Sequence, residues 1–104
     1  MARFDVYRHP DSDLRKNTPF LLDIQNDYLS GVDTRVVVPL RTTDYFGLRM
    51  RDLNPILDVA GMKVVLDAAA LAALPAAELR SPVDSMKQQT DLIVHALDTL
   101  FGSY

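Results

Sequence analysis

Apolar and polar positions alternate from the start of the chain. Phe4 and Val6 interleave with Arg3, Asp5 and Tyr7, the period of two that marks a half-buried strand. His9 to Pro19 breaks the pattern with Asp, Ser, Asn, Thr and Pro and reads as a loop. Phe20, Leu22 and Ile24 then share one face, with Asp23 and Gln25 opposite, and Ser30-Gly31 with Asp33 marks a turn. Val36-Val37-Val38 is a short unbroken run of β-branched residues, suited to a strand buried on both faces. Pro39 has no N–H to give to a ladder, so it should end that strand or lie at an edge. Arg41 to Asn54 has no clean period and is expected to be a loop with weak strand character. Ile56 to Val59 and Met62 to Leu66 flank Ala60-Gly61 as a hairpin.

Two segments carry helical signals. Asp67-Ala-Ala-Ala-Leu-Ala-Ala-Leu74 has high helix propensity with Asp67 placed as an N-cap, but it is short and Pro75 closes it. A helix of that length is marginal alone, so packing must decide its state. Near the C-terminus, Ile93, Leu97 and Leu100 follow helical spacing, and Val94 and Phe101 widen the stripe. Ser81-Pro82 followed by Asp84 resembles a start signal, and Gly102 a stop. The pattern predicts a mainly β chain with one C-terminal α-helix.

Length and composition narrow the class. With 104 residues the chain is expected to form one domain over residues 1–104. Hydrophobic residues make up 48%, too many for a disordered chain. The formal net charge of −3 argues against broad electrostatic capture of nucleic acid, although Arg35, Arg41, Arg49 and Arg51 fall in one segment and could form a local basic patch. The absence of cysteine removes disulfides, thiolate metal sites and a cysteine nucleophile, and fits a reducing compartment. No signal-like N-terminus and no apolar run near membrane-helix length occur, so a soluble cytoplasmic protein without a membrane partner is expected.

Little in the sequence points to catalysis. Asp91, His95 and Asp98 lie at i, i+4 and i+7 on one helix face, where a metal site or an acid–base pair would need a further group; a solvated polar face is the simpler reading. Asp23, Gln25 and Asp27 alternate and could hold a cation or a substrate hydroxyl, but such residues are more often the solvent side of a sheet. The four glycines are scattered and form no phosphate-cradling loop. No serine, histidine and acid arrangement follows from the spacing, so neither an enzyme nor a cofactor is indicated. A different signal comes from Tyr28-Leu29 and from Phe101-Gly102-Ser103-Tyr104, which place apolar groups at a turn and a chain end. Phe101 is expected to anchor on the subunit's own core, because it continues the helix stripe. For Tyr28 and Tyr104 a partner surface is as good an expectation, since amphipathic aromatic residues are favoured interface anchors.

Several of these pieces together resemble the CcdB family of toxins from type II toxin–antitoxin systems. They are Phe4-Asp5-Val6-Tyr7, Leu22-Asp23-Ile24-Gln25-Asn26-Asp27, Thr34-Arg35-Val36-Val37-Val38-Pro39-Leu40, Leu53-Asn54-Pro55, Leu71-Ala72-Ala73-Leu74-Pro75, Pro82-Val83 and Ala96-Leu97-Asp98 with Phe101. They occur in the family's order, near its spacing and over nearly the whole chain. The resemblance implies an SH3-like barrel of the CcdB/MazF toxin type that forms a two-fold homodimer. It also implies less helix in the alanine-rich stretch, and a last helix starting nearer Met86 or Lys87 with Ser81 to Ser85 extended. The implied activity is binding, not catalysis: the toxin poisons DNA gyrase through its A subunit until a CcdA-like antitoxin removes it, and does not itself contact nucleic acid.

Carried over position by position, the gyrase-binding residues implied by the resemblance are Tyr28, Leu29, Asp98, Phe101, Gly102, Ser103 and Tyr104. The best-studied family pattern ends in Trp-Gly-Ile with an amide residue on the helix before it. This chain ends Gly102-Ser103-Tyr104 and has Asp98 at the amide position. Two alternatives accompany this reading: a homologue that keeps the fold and antitoxin binding without gyrase poisoning, and an mRNA-cleaving toxin of the MazF kind, which the acidic net charge disfavours.

Overall fold

A computed structural model describes residues 1–102. Seven strands, β1 (Asp5–Arg8), β2 (Phe20–Asp23), β3 (Thr34–Thr42), β4 (Ile56–Val59), β5 (Met62–Leu66), β6 (Ala72–Pro75) and β7 (Asp84–Ser85), form one antiparallel sheet. Its order is β4-β5-β3-β2-β1-β7, with β6 paired to the first half of β3. The sheet curls until its two edges meet: the Ala60 N–H at the tip of the β4–β5 hairpin donates to the Asp84 carboxylate on β7 at 2.9 Å. The result is a mostly β, nearly closed barrel. A one-turn helix, α1 (Thr43–Phe46), follows β3, and the long helix α2 (Thr90–Phe101) ends the described chain.

The core lies between the inner sheet face and α2. Val6, Leu22, Val38, Leu40, Leu57, Val59, Val64 and Leu66 meet Ile93 and Ala96 there, while Leu97 and Leu100 pack at its margin. The predicted face of Phe20, Leu22 and Ile24 contributes to this core. A second, smaller cluster of Tyr7, Leu21, Val37 and Leu79 covers the opposite face. The valine run is therefore buried on both sides, as its continuous apolar character implied. The hairpin also forms as expected. Ala60 (φ 49°) and Gly61 (φ 84°) both take positive φ between the paired Val59 and Met62, the geometry of a tight two-residue loop.

Pro39 departs from expectation. It neither ends β3 nor sits at an edge; the strand continues to Thr42. β3 changes partner at this point, pairing with β6 through Val37 and with β5 from Leu40 onward. The Pro39 carbonyl accepts from the Asp67 N–H at 3.0 Å across that interval, so the side of the strand on which Pro lacks an N–H is the gap between two neighbours.

The alanine-rich stretch is likewise not helical as its propensity suggests. It makes a 3-10 turn at Ala68–Ala70 and then β6, which pairs with Thr34 to Val37. The hydrogen-bonding edge of β3 there outweighs a local preference worth only tenths of a kcal/mol per residue (roughly 0–0.7). Asp67 makes no side-chain cap; its carboxylate takes the Arg41 Nε at 2.7 Å. The local basic patch that the sequence left open is not assembled from all four arginines: Arg35 is buried, Arg41 pairs with Asp67 and Arg49 donates to the Asn54 carbonyl at 3.1 Å, while Arg51 is exposed.

The last helix is preceded by a 3-10 turn at Lys87–Gln89, and Ser81-Pro82 does not start it. Gly102 stops it in the left-handed conformation (φ 73°), its N–H donating to the Asp98 carbonyl at 2.8 Å. Among the described residues no helix is long and apolar enough to cross a membrane.

Candidate functional site: an exposed apolar turn on a buried polar scaffold

The Asp23–Asp27 block is where the structure corrects the sequence most sharply. The alternation is right, since Asp23 does point away from the main core. That face is not solvent, however, because the second apolar cluster covers it and Asp23 is 0% exposed. Its Oδ2 accepts from the Arg35 Nε at 2.8 Å, with Nη2 2.6 Å from the same oxygen but poorly aligned for a hydrogen bond. Its Oδ1 accepts from the Gln25 N–H at 2.9 Å. Burial raises the Asp23 carboxyl above the usual aspartate range, against the opposing pull of the Gln25 N–H and the Arg35 guanidinium. Nearby, Tyr7 is pushed up to about 12 by burial and then by the negative charges of Asp5 and Asp23; its hydroxyl lies close to the Asp5 carboxylate without a well-formed hydrogen bond.

Gln25 continues the scaffold. Its Nε2 donates to the Thr34 carbonyl at 2.9 Å and its Oε1 accepts from the Val36 N–H at 2.9 Å. The side-chain amide thus replaces a backbone partner where the β2–β3 ladder opens. Nε2 also reaches the Leu29 carbonyl at 3.5 Å. Asn26 then caps the 3-10 turn Asp27–Leu29 by accepting from the Tyr28 N–H at 2.9 Å. Asp27 accepts from the Arg3 N–H at 2.6 Å and so ties the turn to the N-terminal segment. The polar side chains of the block are thus used mainly to build one turn.

What that turn displays is apolar. Tyr28 is 91% exposed and Leu29 46%, although both belong to a rigidly tied loop. At the other candidate locus Phe101 is 67% exposed, so it does not anchor on its own core as the stripe suggested. Helical geometry explains this. Phe101 lies roughly 80° around the helix from Ile93 and roughly 140° from Ala96, the two buried residues that define the inward side. Gly102 is exposed beside it, Asp98 is half-buried, and Ser103 and Tyr104 lie outside the described residues. Tyr28 and Leu29 thus share one turn and Phe101 and Gly102 share the helix end.

The polar face of α2 holds no such display. His95 Nε2 lies 3.5 Å from Asp52 Oδ1, an exposed pair linking the helix to the 47–55 loop. Among the described residues no group of His, Cys, Asp or Glu could hold a metal ion. The signal that sequence reading missed is the pairing of Asp23 with Arg35: one acid at the end of β2 and one arginine near the start of the adjoining β3.

The molecule is thus a nearly closed barrel with one C-terminal helix, whose buried polar junction raises an exposed apolar turn. The family model described as CcdB protein matches residues 3–102, so the chain belongs to the CcdB family. Solved structures match as well: a structure described as an endoribonuclease in complex with its cognate antitoxin, from Mycobacterial species, is similar with a TM-score of 0.76 and 21% identity, over 98% of this chain and 95% of that one. At that identity the likeness concerns the fold. No curated protein sequence matches the chain.

Proposed function

We propose that this protein is the toxin of a type II toxin–antitoxin system, acting in the cytoplasm as a homodimer that binds the A subunit of DNA gyrase and is neutralised by a CcdA-like antitoxin. It performs no bond chemistry of its own in this reading. The observation that carries the proposal is the exposure of Tyr28, Leu29 and Phe101, the positions that the resemblance to the family implies for gyrase contact. Tyr28 at 91% exposure beside Leu29 on one hydrogen-bonded turn offers a partner an aromatic anchor, and anchors of this kind supply the greater part of many binding energies. The similarity to an antitoxin-bound toxin supports the antitoxin partner.

Gly102 favours a second reading, in which the fold and antitoxin binding persist without gyrase poisoning, because glycine stands where the best-studied family pattern has its aromatic anchor. The deciding experiment is controlled expression in bacteria, with and without the neighbouring reading frame, scored for growth arrest and gyrase-dependent DNA cleavage. Arrest with trapped cleavage, lost in Phe101→Ala and in Tyr104→Ala, supports the gyrase reading. Normal growth beside tight antitoxin binding supports the second. Cleavage of RNA by the purified protein would replace both with the endoribonuclease reading.

A further inference from the structure

Three arginines that are far apart in the sequence converge on one cavity away from Tyr28 and Phe101. Arg8 ends β1, Arg15 lies in the 9–19 loop, and Arg80 follows the 3-10 turn Ala76–Glu78. With Pro10, Ala77 and Glu78 among its walls, the cavity holds about 560 Å³. Sites for small ligands fall at roughly 300–1,000 Å³.

The charge here is not neutralised by the fold. None of the ion pairs among the described residues uses these arginines. Arg15 spends its Nε on the His9 carbonyl at 2.6 Å, which fixes its side chain and leaves its terminal nitrogens available. Arg8 and Arg80 are exposed. Three cations therefore face a single lining carboxylate, Glu78, in a chain whose net charge is −3. Such a concentration in a concave site draws an anion and holds it.

The chemistry narrows further. Guanidinium groups present planar forks that match phosphate oxygens two at a time. Glu78 repels a ligand that is anionic throughout but accepts hydrogen bonds from hydroxyl groups. Pro10 and Ala77 add apolar wall against which a flat ring can lie. We propose that this cavity is a nucleotide site, in which Arg8, Arg15 and Arg80 take the phosphate and Glu78 takes ribose hydroxyls. The site is independent of the toxin reading, because it uses none of the exposed apolar residues.

Calorimetric titration of the purified full-length chain tests this with inorganic phosphate, a nucleoside 5′-monophosphate, the unphosphorylated nucleoside, a 5′-phosphorylated RNA trinucleotide and a glutamate-rich peptide. The monophosphate should bind and the nucleoside should not. Arg80→Gln should weaken it about tenfold, the loss expected for one charge-assisted hydrogen bond. Arg80→Lys keeps the charge and loses the fork, and should fall between the two. Glu78→Gln should weaken the monophosphate but not inorganic phosphate. A tighter trinucleotide would make the end of an RNA strand the source; equal affinity would make it a free nucleotide. No phosphate binding at millimolar concentration, binding unchanged in an Arg8→Gln/Arg80→Gln double variant of unchanged melting temperature, or tighter binding of the acidic peptide would each overturn the proposal.

Discussion

Two kinds of region in this molecule use their side chains in opposite ways. At the β2–β3 junction, Asp23, Gln25 and Arg35 are charged or polar and hidden. At the turn that follows and at the helix end, Tyr28, Leu29 and Phe101 are apolar and displayed. Each inverts the ordinary rule of burial, and the first makes the second workable. A loop that offers large apolar groups to water has little apolar burial of its own to hold its shape. Here the hydrogen bonds of Gln25, Asn26 and Asp27 hold it instead. The shape of the turn rests on the hidden polar groups and, in the function proposed above, recognition rests on the exposed apolar ones, so the two should separate under mutation.

The sharpest break of this contrast is Asp23→Ala. It strands the Arg35 guanidinium without its counter-charge in a dry site, and removing one partner of a buried ion pair costs about 3–5 kcal/mol. That is a large part of the roughly 5–15 kcal/mol available to a domain, so urea denaturation should show a much lower midpoint or no folded baseline.

Alkaline titration should show the next effect. Tyr7 is raised from 10.0 to about 12 in the folded chain, so between those values the native state keeps a proton that the unfolded state has lost. Stability is therefore retained below pH 10 and falls as pH rises toward 12, by roughly 2–3 kcal/mol for a shift of this size. Tyr7→Phe should flatten that part of a stability-against-pH curve. At neutral pH it should change stability little, because the hydroxyl it removes is buried with no well-formed hydrogen bond.

Gln25→Ala should cost about 1–3 kcal/mol, since it leaves the Val36 N–H without its acceptor. It should also speed hydrogen exchange at the amides of Asp27 to Ser30 more than elsewhere. Uniform acceleration across the barrel would show that Gln25 supports the fold generally and not the turn. Smallest of all in stability are Tyr28→Ala and Phe101→Ala, expected within about 0.5 kcal/mol of the parent because both side chains are largely in water. Growth arrest on expression should nonetheless be lost. A melting temperature that falls with activity in these variants would break the separation of the two regions.

Some of this was legible in advance because it depends on near neighbours. The period-two runs of β1 and β2, the Ala60-Gly61 hairpin, the stripe of α2 and its Gly102 stop all follow from backbone sterics and side-chain spacing. So does the two-sided burial of the valine run, with Val37 and Val38 buried on opposite faces and Val36 half-buried, since a continuous apolar run has no polar face to offer water.

Other features required the assembled barrel. Pro39 is tolerated in mid-strand only because β3 changes neighbours there, and the alanine-rich segment becomes β6 because an open edge of β3 waits for it. Asp23 looked solvent-facing until Leu79, more than fifty residues away in the chain, helped to close the second cluster over that face. Phe101 looked inward until the packing of Ile93 and Ala96 set the rotation of the helix. In this protein the chain alone determined where most segments extend, turn or coil, because those choices are mostly made within a few bonds; the alanine-rich stretch is the exception. Which faces meet water was decided only in three dimensions, because burial is a property of what arrives from elsewhere in the chain.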